Sequence, residues 1–165
     1  MVKCPKPLTF VNAAGADRGM NIDMFDNILV PTDGTGLADS AIREAAALAR
    51  ELGSKLVLFY APPMAGLSPP IRPNEREMVR KALAEEAQQV LSTAAARDEL
   101  AGLPVERHYA ASSSPAEAII DAADAYGCDL IIMASHKRRG MSAVLHASET
   151  RRVLRDSKVP VIVVQ

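Results

Sequence analysis

Four short apolar runs limit the architecture open to this chain. NILVPT (27–32), KLVLFYA (55–61), DLIIMA (129–134) and VPVIVV (159–164) are continuous rather than alternating in polarity. A strand with one wet face alternates; a strand apolar throughout must be covered on both faces. The segments between the runs carry helical periodicity. Residues 37–52 place Ile42, Ala45, Ala46, Ala49 and Leu52 on one face, with Gly53 as a stop. Residues 74–95 repeat Met78, Leu83, Ala87, Val90, Leu91 and Ala94 behind a capping-box pattern of Asn74 and Glu77. Ser114, Pro115 and Glu117 form a second helix start, with Ser114 as the cap, and a last helix is expected from about Ser148 to Arg155. PVERHYA (104–110) alternates like a strand with one wetter face. Strand and helix in alternation, with apolar strands, require a parallel sheet with helices on both faces.

With 165 residues the chain supports one sizeable domain. Residues 1–23 lack periodicity and are expected to form a disordered or loosely ordered extension, with the domain over 24–165. Met1, Met20 and Met24 are all candidate starts. A net charge of −1 excludes a general polyanion binder, and 4% aromatic residues without Trp argue against a base-stacking platform for nucleic acid. Two cysteines make no disulfide framework, and Cys128 reads as a small buried thiol. No segment has the length of a membrane span, so a cytoplasmic location is expected.

In an open parallel sheet, ligands sit beyond the carboxyl ends of the strands. Two such ends carry chemistry. PTDGTG (31–36) offers Asp33, which suits ribose hydroxyls, a magnesium ion, or a cap on the following helix. Its G-x-G is a weak dinucleotide signal, because the third glycine falls at Asp39. MASHKRRG (133–140) sets Lys137, Arg138 and Arg139 among Ser135, His136 and Gly140, an anion-attracting loop. Ser148 is expected at a helix N-terminus, where free N–H groups favour an anion. His108, His136 and His146 lack metal-ligand spacing. No metal site and no catalytic set is read from the chain.

NILVPTDGT, the small–hydroxyl–His loop after the fourth strand, SPAEAI and the closing VPVIVV together resemble the universal stress protein family over Phe25–Gln165. The resemblance implies an adenine-nucleotide alpha hydrolase-like fold: one open five-stranded parallel sheet of order 3-2-1-4-5. It also implies a homodimer paired through Val159–Val164. ATP-binding members carry G-x2-G-x9-G-[S/T] after the fourth strand. Here those glycines fall at Ala134, Lys137 and Ala147, and the closing hydroxyl survives as Ser148. Where a positive φ is needed, a Cβ costs about 1–2 kcal/mol per residue. Carried over residue by residue, the resemblance assigns nucleotide contacts to Pro31, Thr32, Asp33, Ala61, Met133, Ala134, Lys137, Ala147, Ser148 and Glu149.

The function so implied is a stress-response protein acting by binding, as an ATP or AMP sensor with a degraded phosphate loop and magnesium as companion ion. The rival is a dimeric protein-interaction module that has lost the nucleotide and meets unknown protein partners. An ATP-using enzyme of the wider superfamily ranks lower, because PTDGTGLADS departs from the S-G-G-x-D-S-like loop of such pyrophosphatases.

Overall fold

The structure, a computed structural model, describes residues 25–64, 72–135 and 141–164, with the backbone alone for residues 73–74 and 141–148. Its elements run β1 (Asn27–Pro31), α1 (Ala38–Leu52), β2 (Lys55–Tyr60), α2 (Pro73–Ala95), a 3-10 turn (Asp98–Leu100), β3 (Val105–Tyr109), α3 (Pro115–Ala125), β4 (Leu130–Ala134), α4 (Met141–Asp156) and β5 (Val161–Val164). The five strands form one sheet of order β3-β2-β1-β4-β5, and every pairing is parallel. The Asp129 carboxylate, just before β4, accepts the N–H groups of Asp26 (2.8 Å) and Asn27 (3.2 Å) and so aligns β4 with β1.

Alternate residues of the central strands point to opposite faces and feed two separate cores. Ile28, Val30, Leu56, Leu58, Leu130 and Ile132 pack against Ala41, Ile42, Ala45 and Ala49 of α1 and Ala87, Leu91 and Ala94 of α2. Leu29, Val57, Phe59, Ile131 and Met133 pack on the other face against Ala116, Ile119 and Ala122 of α3 and Val153 of α4. Both faces are thereby covered, as the unbroken apolar runs require. β3, an edge strand, has no fully buried residue.

The element ends hold the surprises. Leu52, expected on the inner face of α1, is 37% exposed, and Met78 on α2 is 70% exposed. Helix α2 begins at Pro73, ahead of Asn74, and its first turn is closed by Glu75, whose carboxylate accepts the Arg72 N–H at 3.0 Å. Proline at the first helical position and an acid at the third outcompete the Asn74–Glu77 pair. Gly53 ends α1 in the left-handed conformation, φ 76°, with its N–H on the Ala49 carbonyl at 2.9 Å.

Candidate functional site

The winding of the sheet reverses between β1 and β4, and a cavity of about 490 Å³ opens at the carboxyl ends of β1, β2 and β4. That volume is within the range of small-molecule sites. Seven of the residues assigned from the sequence line it: Pro31, Thr32, Asp33, Ala61, Met133, Ala134 and Glu149. The remaining lining is Ala38, Phe59, Tyr60, Pro63, Pro115, Ile119 and Thr150.

Each wall is fixed by backbone bonding. Thr32 is 5% exposed and continues the β1–β2 ladder, its N–H on the Phe59 carbonyl at 2.8 Å. Asp33 does not cap α1; its Oδ1 accepts from the Thr35 N–H (2.9 Å) and the Thr35 hydroxyl (2.6 Å), folding the PTDGTG turn on itself. Gly34 takes φ +75° in this turn, where a Cβ would also meet the Val90 methyl group Cγ1 at 3.4 Å. Asp39, at the position of the missing third glycine, forms an ion pair with Arg97 at 2.9 Å, which removes the dinucleotide reading. The second wall is the Ala61–Met64 segment, held by an isolated bridge from Pro63 to Ser112. Tyr60 donates its hydroxyl to Glu86 Oε1 at 2.6 Å. Burial, that bond and nearby carboxylates hold the phenol well above its usual range.

The third wall departs from expectation. Helix α4 starts at Met141, seven positions before Ser148, so Ser148 lies inside the helix and offers no free N-terminal amides. The sequence reading placed the start at about Ser148 instead and passed over the helical run of residues 141–147. Glu149 therefore sits on the third turn of α4, and its Oε2 accepts the Ala116 N–H of α3 at 2.7 Å. Ser114 is the N-cap residue of α3, but its hydroxyl makes no capping bond and lies buried without a partner among the described residues. Glu117 does not reach back either; it forms an ion pair with Arg152 at 2.7 Å. The cap of α3 comes from another helix.

His136, Lys137, Arg138, Arg139 and Gly140 lie outside the described residues, as do the side chains of Ala147 and Ser148. Ser135 follows β4, its N–H on the Val164 carbonyl at 2.9 Å. His108 does not line the cavity; it pairs with Phe59 across β2 and β3 and stacks on Tyr126 with ring centroids 3.9 Å apart. Cys128 is buried, and burial pushes its thiol up to about 11. Among the described residues no group of three or more His, Cys, Asp or Glu could hold a metal ion. None of the described helices is long and apolar enough to cross a membrane.

Sequence reasoning missed Tyr60, Phe59, Pro115 and Ile119 as lining residues, although Phe59 and Tyr60 end β2, Pro115 opens α3 and Ile119 lies one turn further on. Their apolar character reads as core, and only the sheet order places them at the cavity.

Residues 24–165 match the family model for the universal stress protein family. Universal stress protein MJ0577 of Methanocaldococcus jannaschii is 28% identical over 157 residues, covering 86% of this chain and 96% of its own. Its solved structure superposes with a TM-score of 0.70 over the same shares. A universal stress protein of Thermus aquaticus is 30% identical over 146 residues, 86% of this chain and all of its own length. A universal stress protein solved in complex with cAMP shares the fold at a TM-score of 0.61 and 19% identity, over 86% of this chain and 98% of that one. With its order of strands, its two-sided sheet and a family match across nearly the whole length, this chain belongs to the universal stress protein family.

Proposed function

We propose that this chain is a cytoplasmic stress-response protein that acts by binding rather than by catalysis, and that its cavity takes an adenine nucleotide, AMP or ATP. The observation that carries the reading is convergence: Thr32, Asp33, Ala61, Met133 and Ala134, far apart in sequence, line one 490 Å³ cavity. Asp33 supports it chemically. Its Oδ1 is engaged by Thr35, whereas Oδ2 has no protein partner among the described residues and suits the hydroxyls of a ribose. Apolar Met133, Ile119 and Pro31 suit the faces of a purine. Proteins of this fold have been solved with cAMP and with dAMP, so a purine nucleotide is within the chemistry the fold accepts.

The test is calorimetric titration with AMP and with ATP plus magnesium. Saturable binding near one nucleotide per chain is the expected result; no heat at millimolar nucleotide would overturn the nucleotide reading. The second reading, a dimeric interaction module, draws on β5. This edge strand pairs with β4 on one side and exposes 43% of Ile162. A sedimentation series that gives a dimer without nucleotide binding would favour it.

A further inference from the structure

Glu149, to which the family resemblance assigns a nucleotide contact, brings a negative charge to the cavity lining. Its carboxylate lines the cavity and at the same time accepts the Ala116 N–H of α3 at 2.7 Å. The N-terminus of a helix is the part of a fold best suited to an anionic ligand, through its free amides and its positive potential. Here an internal carboxylate already holds that position. Pro115, at the first position of α3, has no N–H to offer, and the N–H of Ala116 is taken. The second charged residue on the described lining is Asp33, also acidic.

Resting on the adenine-nucleotide reading, we infer that Glu149 is a specificity-determining residue that turns the cavity toward the nucleoside portion of its ligand and against the phosphates. Adenosine presents hydroxyl donors and an uncharged purine, which match Asp33, Thr32 and the apolar wall formed by Met133 and Ile119. A phosphate approaching α3 meets a negative charge already bonded to the Ala116 N–H. The selectivity follows from like-charge repulsion inside a cavity partly shielded from solvent. Affinity therefore falls from adenosine to AMP to ATP, the reverse of a phosphate-gripping site.

Glu149→Gln separates the alternatives, because its amide oxygen still accepts the Ala116 N–H while the charge is gone. Titrating adenosine and ATP into wild type and variant, with thermal unfolding to verify the fold, gives the answer. Adenosine is expected to bind wild type more tightly than ATP. In Glu149→Gln, ATP affinity is expected to rise about tenfold relative to that of adenosine. ATP tighter than adenosine in wild type, or an unchanged ratio in the variant, overturns the role of Glu149 and leaves the nucleotide site standing. Binding of neither compound overturns both.

Discussion

Cys128 sits two residues before β4, 5% exposed, with its thiol pushed up to about 11 by burial. In the unfolded chain the same thiol ionises near pH 8.5–9. Between about pH 9 and 11 the unfolded state therefore loses its proton first, and folding stability falls as pH rises; below pH 9 the contribution is fully present. Urea midpoints for wild type and Cys128→Ala check this. The stability lead of wild type over the variant is expected to shrink steadily from pH 9 to 11. A lead constant across that range would mean that the thiol ionises alike in both states. The burial of Cys128 was legible from the apolar run it opens, and so were Thr32 and Asp33 at the end of β1. The partner of Asp33 was not. Its bond to Thr35 satisfies a local turn, which competes with helix capping at the same chemical cost and differs only in backbone path.

At the scale of elements, α3 and α4 are joined through the Glu149–Ala116 bond. Glu149→Ala removes the acceptor and is expected to destabilise the protein by about 1–2 kcal/mol, the range for a lost helix cap. Ser114→Ala, at the residue the sequence names as the cap, is expected to be neutral or slightly stabilising, because the hydroxyl it removes is buried without a partner among the described residues. Chemical denaturation of the two variants side by side decides it; the opposite order would show that Ser114 caps α3 in solution. The five strands were visible in the sequence because unbroken apolar runs have few other homes. The start of α4 was not, since Gly140 offers no capping side chain before Met141 and the charges of Lys137, Arg138 and Arg139 come just ahead of it. A cap supplied from 33 residues away leaves no local signal at all.

For the whole molecule, the sheet has two cores and one winding reversal, and the reversal is where Thr32, Ala61, Met133 and Glu149 meet. Separate cores on the two faces make the cavity floor a rigid one: Phe59 and Met133 are 1% and 6% exposed and anchored in the α3–α4 layer. The architecture was readable before the structure, and the convergence of distant loops was implied once the strand order was assumed. The chemistry of the cavity wall needed coordinates, because it depends on which helix reaches the α3 amides. The most direct test of that account is methyl NMR of the protein labelled at methionine and isoleucine, titrated with adenosine. Met133 and Ile119, which line the cavity, are predicted to shift saturably, while Ile28 and Ile42 in the opposite core stay in place. Shifts confined to Met78 or Ile162 on the surface, or none anywhere, would contradict it.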